Sequence, residues 1–289
     1  MERHVFRAMG TSVECLLESE AEAERAFEAV VAEFERLEAI LSRFRLDSDL
    51  SRLNRVGRLE ACPDLLEVTE LALEARERTG GRFDPTVHDA LLAAGYDRTF
   101  ESLALDAPSA PTVAFACRGD VWVDETAGTI ELEDGVRLDF GGIGKGYAVD
   151  RACALLSAAG PCLVNAGGDL AVRGRPRDGC WPIGVETPDG TISLALEDGA
   201  LATSGRDRRR WRRGGHERHH LVDPGTGMPS DSDLLRVSVA AASAVDAEVL
   251  AKALFLAGEE EAVSEAAELG LPAVLVTADG RTILAGALA

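Results

Sequence analysis

Helix-like and strand-like segments follow one another along this chain without the strict alternation of a βαβ protein. Apolar residues recur at helical spacing over residues 20–45, 64–79 and 147–159, whereas short strands and turns fill residues 162–203. Such a mixture predicts an α+β fold. No repeat, linker or low-complexity segment interrupts the chain, so we expect a single large domain over residues 1–289.

Glycine, proline and capping residues predict where several elements begin and end. In the first part of the chain we expect a strand pair over 5–18 turning at Gly10, a loop over 45–52 with Asp47 and Ser48 as helix caps, a short helix opened by Pro85, and a surface connection over 99–120. In the middle we expect a hairpin of 121–123 with 129–132, a strand ending at 138–140, and a strand over 162–165. In the last part we expect a hairpin over 206–222, a strand over 237–242, a helix over 247–256, and a hairpin of 272–276 with 282–284.

The charge of the chain limits its partners. The formal net charge is −20, which should repel nucleic acid and anionic membranes, so we expect neither as a partner. A pocket for an anionic ligand would need its own positive charge. Of the 30 basic residues, only Lys145 and Lys252 are lysines, and both fall in motif-like segments. A compact ammonium can approach a phosphate or metal position in a way that arginine cannot.

The sequence also predicts the compartment. The first residues lack the apolar run of a secretory signal, and no apolar stretch is long enough to span a bilayer. The six cysteines show neither a CxxC pair nor metal-ligand spacing, which favours reduced thiols. We therefore expect a cytoplasmic protein.

Residues 141–146 (GGIGKG) fail two phosphate-binding patterns. A P-loop would need glycine at Asp139 and Ser or Thr at Gly146, and Tyr147 replaces the third glycine of a dinucleotide fingerprint. A glycine-rich turn before a helix still offers backbone N–H groups to an anion, with Lys145 beside it. An anion site and an ordinary tight turn both remain open.

Three other features have weaker chemical interpretations. Ser204 lacks the first glycine of a nucleophile elbow. His219 and His220 would point to opposite faces of a strand, which favours structural histidines over a metal site with His216 and Glu217. The run of arginines over 208–213 could suggest RNA, but a solvated hairpin tip fits the acidic chain better.

Seven motifs, in order over nearly the whole chain, resemble those of the FAD:protein FMN transferase (ApbE) family. They are 9–11 (MGT), 41–44 (LSRF) with Ser48, Leu53 and Asn54, 79–87 (TGGRFDPTV), 138–147 (LDFGGIGKGY), 165–169 (NAGGD), 203–205 (TSG) and 220–227 (HLVDPGTG).

The resemblance implies an α+β transferase that moves FMN from FAD onto a threonine or serine of an acceptor flavoprotein, usually with magnesium, and releases AMP. It implies that His220 is the catalytic residue, which suits proton acceptance from an attacking hydroxyl. It further implies that FAD is bound by Met9, Phe44, Phe83, Asp84, Asp139 and Lys145.

The family's metal site is altered in this sequence. Its ligands are an Asp and a Thr four residues apart on a helix, with a backbone carbonyl that would come from Gly142. Here Glu248 and Lys252 stand at the Asp and Thr positions. A protonated lysine has no lone pair and repels a cation, so we expect no magnesium at Glu248.

Three interpretations of Lys252 remain open. Its ammonium could replace the charge of the metal beside the FAD diphosphate, paired with Glu248. Alternatively, the site could be lost, or the two residues could form a surface helix pair. At the level of function, the alternatives to the transferase are a non-catalytic FAD-binding relative and an FAD pyrophosphatase that yields FMN and AMP.

Overall fold

The structure is a computed structural model that describes residues 1–19, 22–104, 106–107, 115 and 117–289. The chain forms two compact units, each built from separate stretches of sequence. Unit 1 comprises Met1–Arg36, Ile143–Ser204 and Ser232–Ala289, and unit 2 comprises Leu37–Gly142 and Gly205–Asp231.

Both kinds of secondary structure occur throughout the described residues. The α-helices there are α1 (Ala23–Leu41), α2 (Asp49–Val56), α3 (Pro63–Arg78), α4 (His88–Ala94), α5 (Gly144–Ser157), α6 (Ala244–Ala257) and α7 (Glu259–Glu268). The strands are β1 (Glu2–Ala8), β2 (Thr11–Leu17), β3 (Arg58–Glu60), β4 (Asp106–Ala107), β5 (Val121–Asp124), β6 (Thr129–Leu132), β7 (Cys162–Ala166), β8 (Asp169–Arg173), β9 (Trp181–Thr187), β10 (Gly190–Leu196), β11 (Gly199–Gly205), β12 (Arg210–Arg213), β13 (His216–His219), β14 (Val222–Asp223), β15 (Met228–Pro229), β16 (Leu234–Ala241), β17 (Ala273–Thr277) and β18 (Thr282–Ala285).

A large sheet forms the framework of unit 1. Its strand order is β1-β2-β7-β8-β11-β16-β17-β18, and α5 and α6 pack against it and against each other. Gly146 allows this close approach, because a Cβ there would lie 2.5 Å from the carbonyl oxygen of Ala244. The side chain of Asp150 accepts hydrogen bonds from the N–H groups of Ala244 (2.9 Å) and Val245 (3.0 Å), so α5 also caps the start of α6.

Unit 2 carries small sheets and an aromatic core. Strands β3, β6 and β5 form one sheet, and β12 pairs with both β13 and β4 in another. The side chain of Asn54, on α2, donates to the carbonyl of Leu138 and accepts from its N–H, both at 2.8 Å. This double hydrogen bond holds the chain just before Asp139. One hydrophobic cluster buries Ala90, Leu91, Ala94, Tyr96, Trp211 and Val222.

Several predicted boundaries are confirmed. Ser48 is the N-cap of α2, where its hydroxyl accepts from the N–H of Ser51 at 3.0 Å. The hairpin over 206–222 is formed by β12 and β13, and the C-terminal hairpin by β17 and β18. Of the connection predicted over 99–120, Leu105, 108–114 and Ala116 lie outside the described residues, as do Glu20 and Ala21 of the first predicted helix.

Other boundary predictions are wrong. Residues 138–140 form no strand, because the side chain of Asn54 takes both backbone groups of Leu138. Helix α4 begins at His88, three residues after Pro85. Helix α5 begins inside the glycine-rich turn, and the predicted loop over 45–52 contains the start of α2.

The predicted α+β class is confirmed, since helices and mixed sheets occur in both units. That residues 1–289 act as one domain stays a prediction. Within the described part of the chain, the helices are either too short or too polar to cross a bilayer.

Candidate functional site

An ammonium and two carboxylates meet in unit 1. Lys145 lies in the first turn of α5, Asp169 is the first residue of β8, and Glu248 lies on α6. The Nζ atom of Lys145 forms ion pairs with Oδ2 of Asp169 and Oε1 of Glu248. The exposed fractions of these side chains are 18% for Lys145, 7% for Asp169 and 5% for Glu248. The cluster is therefore largely shielded from water. Ion pairs interact more strongly in such an environment than in bulk water.

Backbone groups hold both carboxylates in place. The N–H of Gly146 donates to Oε2 of Glu248 at 2.8 Å, and the N–H of Thr203 donates to Oδ1 of Asp169 at 3.3 Å. Burial raises the pKa of Glu248, which the ammonium of Lys145 opposes. The charge of Lys252 also lowers the pKa of Glu248, but by less than that of Lys145.

This geometry decides one interpretation of Lys252. Glu248 is only 4% exposed, so the interpretation of Glu248 and Lys252 as a surface helix pair is wrong. Sequence spacing suggested Lys252 as the partner of Glu248, whereas the structure adds Lys145, from α5. Asp169 was not among the predicted site residues, although it ends the NAGGD motif.

The turn that carries Met9 has an unusual backbone. Met9 and Gly10 connect β1 to β2 with φ values of 47° and 68°. Positive φ at both central residues is typical of a two-residue hairpin turn and is strained for a residue other than glycine, aspartate or asparagine. Strain of this kind is often found at functional sites, and the ligand-binding role of Met9 stays a prediction.

A buried arginine organises the aromatic residues of unit 2. The guanidinium of Arg43 lies 4.1 Å from the ring centroid of Phe44 and 4.6 Å from that of Tyr96, and it donates to the carbonyl of Tyr96 at 2.8 Å. Cation–π contacts with two rings fix the orientation of Phe44, which is 37% exposed. Phe44 therefore presents a preoriented aromatic surface.

Arg43 also holds Asp139. Its Nε lies 2.6 Å from Oδ2 of Asp139, and both side chains are buried. The other carboxylate oxygen of Asp139 accepts from the N–H of Gly141 at 2.7 Å, which shapes the start of the glycine-rich turn. Asp139 therefore has a structural function that the sequence did not suggest.

Asp84 has one oxygen available for a ligand. Its Oδ1 accepts from the N–H of Thr86 at 2.8 Å and from the hydroxyl of Thr86 at 2.7 Å. Its Oδ2 is buried and accepts no hydrogen bond from the described residues. A buried oxygen of this kind is costly unless a donor reaches it. Its neighbour Phe83 is 2% exposed and contributes to the core.

The two adjacent histidines differ in their surroundings. His219 is buried, with Nε2 at 2.9 Å from the carbonyl of Ser230, while its Nδ1 accepts from the N–H of Leu221 at 3.3 Å. These contacts assign a structural role to His219, as the sequence predicted. His220, which is half-buried, lies with its ring centroid 6.5 Å from that of Tyr96.

The burial of His219 predicts a pH dependence of stability. Burial lowers the pKa of His219 below its usual 6.5, so the unfolded chain binds a proton that the folded chain resists. Stability should therefore fall as the pH drops below about 6.5. Urea unfolding at several pH values should show a flatter profile over this range for His219→Gln than for the unmodified protein. Equal slopes would contradict this assignment.

The residues at the family's metal position do not fit a magnesium ion. Among the described residues, no three His, Cys, Asp or Glu side chains are placed to hold a metal. Glu248 and Asp169 are both paired with Lys145, and Lys252 adds a second positive charge near Glu248. A dication and an ammonium about 4 Å apart repel by roughly 8 kcal/mol at an effective dielectric constant near 20.

Comparison with known proteins identifies the family. The model of the ApbE family matches residues 9–275. This chain belongs to the ApbE family. An FAD:protein FMN transferase of Treponema pallidum is 31% identical, and the match covers 90% of this chain and 79% of that protein. One from Rhodobacter capsulatus is 33% identical over 88% of this chain and 47% of its own length.

The ApbE fold is shared as well. The crystal structure of the ApbE protein from Thermotoga maritima aligns with a TM-score of 0.86 and 27% identity, covering 99% of this chain and 97% of that one. The resemblance inferred from the seven motifs and the α+β fold that it implied are thus confirmed.

The predicted site residues divide between the units of this ApbE protein. In unit 1, Lys145 is in contact with Glu248 and with Asp169. In unit 2, Tyr96 lies against both Phe44 and His220. Sequence reasoning missed Arg43, Tyr96 and Asp169. Arg43 lies in the LSRF motif and Asp169 in the NAGGD motif, whereas Tyr96 lies in none of the seven motifs.

Proposed function

We propose that this protein transfers FMN from FAD onto a threonine or serine of an acceptor flavoprotein and releases AMP. The observation that carries the proposal is the match to the ApbE family over residues 9–275, which includes all seven motifs. The relatives from Treponema pallidum and Rhodobacter capsulatus bear the name FAD:protein FMN transferase.

In the proposed reaction, the acceptor hydroxyl attacks the phosphorus atom on the FMN side of the FAD diphosphate. A new phosphorus–oxygen bond forms to the acceptor, and the bond to the oxygen of AMP breaks. His220 accepts the hydroxyl proton, and the electron pair of the broken bond leaves with AMP. His220 lies beside Tyr96, and this ring contact would limit the rotation of the imidazole.

Different residues would bind different parts of FAD. Phe44, oriented by Arg43, offers a surface on which a flat ring can stack. The free oxygen of Asp84 can accept a hydrogen bond from an N–H group of FAD, which would satisfy its buried carboxylate. Phe83 and Asp139 would complete the binding surface of unit 2 by packing and by shaping its turns, and Met9 stays a predicted FAD-binding residue of unit 1.

The positive charge for the diphosphate would come from lysine. In this chain of net charge −20, Lys145 and Lys252 are the two lysines, and both act on Glu248. We propose that the ammonium of Lys252 supplies the charge that magnesium supplies elsewhere in the family. The reaction would then need no metal at Glu248 or at the carbonyl of Gly142.

Covalent labelling tests the proposed activity. The purified protein is incubated with FAD and a cytoplasmic protein extract of the source organism, since a cytoplasmic location is part of the proposal. Flavin fluorescence on a denaturing gel reports covalent transfer, and chromatography reports AMP and FMN. A fluorescent protein band with released AMP is expected. Free FMN with AMP and no band would instead indicate a pyrophosphatase, and intact bound FAD would indicate a non-catalytic carrier.

A further inference from the structure

We propose that the hairpin of residues 206–218, here called the arginine hairpin, is the docking surface for an acidic segment of the acceptor protein. This inference rests on the proposed function, because it concerns how the second substrate reaches the transferase. It assigns a role to a basic segment that the proposed chemistry does not use.

The charge of the arginine hairpin is opposite to that of the chain. Its 13 residues contain seven arginines and two acidic residues, a formal charge of +5, so the other residues carry −25 between them. An acidic partner approaching elsewhere would be repelled, whereas the hairpin would attract it. Local charge of this kind steers association and selects orientation.

The strand pairing leaves several arginines exposed. In β12, Trp211 is 3% exposed, and alternation of side chains turns Arg210 and Arg212 to the opposite face, where both are exposed. Arg208 precedes them and is exposed as well. The contact of Arg210 with Glu217 spans 3.9 Å between well-exposed side chains, so it competes little with a partner.

The arginine hairpin leads directly to the proposed catalytic residue. Strand β13 ends at His219, and His220 follows it. Trp211 stacks on Tyr96 at 5.5 Å and donates from Nε1 to the carbonyl of Ala94 at 2.9 Å, which anchors the hairpin. Tyr96 in turn contacts His220. Arg210 pairs with His219 across the hairpin, so an acceptor held by the exposed arginines would lie beside the strand end from which His220 follows.

The structure favours a protein partner over nucleic acid. Proteins that bind single strands combine basic grooves with exposed aromatic side chains on which bases stack. The arginine hairpin has one aromatic residue besides its histidine, and that residue, Trp211, is buried in the aromatic cluster. Acidic side chains need only the exposed guanidinium groups, which bind carboxylates well.

The test compares two triple variants with the same change in charge. The first is Arg208→Glu with Arg210→Glu and Arg212→Glu. The matched control is Arg3→Glu with Arg175→Glu and Arg177→Glu, three exposed arginines of unit 1. Fluorescence anisotropy measures binding of a labelled 12-residue peptide, about half Asp and Glu around one Thr, and of its counterpart with Lys replacing the acidic residues.

The acidic peptide is expected to bind the unmodified protein more weakly as salt is raised. The hairpin variant should raise its Kd about 10-fold or more, whereas the unit 1 variant should change it far less. The proposal would be overturned if both variants lost the same affinity for the acidic peptide, or if the basic peptide bound equally well. It would also be overturned if the acidic peptide did not bind at low salt, or if single-stranded RNA of equal length bound more tightly. FAD affinity, measured on each variant, separates this outcome from failure of the proposed function.

Discussion

Replacing His220 with alanine is expected to lower the rate of FMN transfer by about 10²- to 10⁴-fold, the usual contribution of a general base. FAD should still bind, because the residues assigned to FAD are other than His220. The attacking hydroxyl would have to lose its proton to water, which is a weaker base in this position. The measurement is the rate of AMP release at saturating FAD, together with the Kd for FAD from the quenching of flavin fluorescence.

Two neighbouring histidines provide controls for the His220 variant. His216 is exposed and belongs to the arginine hairpin, so His216→Ala is compared at saturating acceptor, where the transfer rate should stay within about 2-fold of the unmodified value. His219→Gln should lower the free energy of unfolding more than it lowers the transfer rate of the folded protein, since His219 is buried and bonded to Ser230. A His220→Ala protein that retains both fold and full turnover would assign His220 a structural role.

Replacing Lys145 with methionine is expected to lower the free energy of unfolding by about 3–5 kcal/mol, the usual cost of breaking a buried ion pair. Methionine fills similar volume but leaves Asp169 and Glu248, both largely buried, without the ammonium that they share. Two buried carboxylates then face each other with no positive charge from α5. Urea denaturation at pH 7, followed by circular dichroism, measures the loss.

Lys252→Met is the matched control for Lys145→Met. It removes the other lysine, whose charge has the smaller effect on Glu248, so its loss of stability should be smaller. Adding Asp169→Asn and Glu248→Gln to Lys145→Met should recover much of the stability, because neutral amides do not need a counter-ion. A loss for Lys145→Met no greater than that for Lys252→Met would contradict the assignment.

The local parts of the fold could be predicted from the sequence. Ser48 as a helix cap, the turn at Gly10 and the hairpin over 206–222 depend on residues close in sequence. The strand predicted to end at 138–140 does not form, because the side chain of Asn54, 84 residues away, hydrogen-bonds both backbone groups of Leu138. Such a competing side-chain contact cannot be recognised without knowing which segments meet.

In the candidate site, too, local features could be predicted from the sequence, whereas contacts between distant residues could not. The two lysines stood out in the sequence because the chain otherwise uses arginine, and Lys145 proved to be at the centre of an ion cluster. Its partners could not be predicted, because Asp169 and Glu248 are 24 and 103 residues away along the chain. Arg43 was overlooked for a related reason. An arginine in sequence is typical of a surface, and only the packing of Phe44, Tyr96 and Asp139 around it explains its burial.

The central claim is that this ApbE protein transfers FMN with lysine in place of magnesium at Glu248. Covalent labelling of the extract by FAD, measured in EDTA and in magnesium, tests it most directly. The unmodified protein is predicted to label at equal rates in both, whereas Lys252→Thr with Glu248→Asp should label only with magnesium. Labelling by the unmodified protein that EDTA abolishes and magnesium restores would contradict the account.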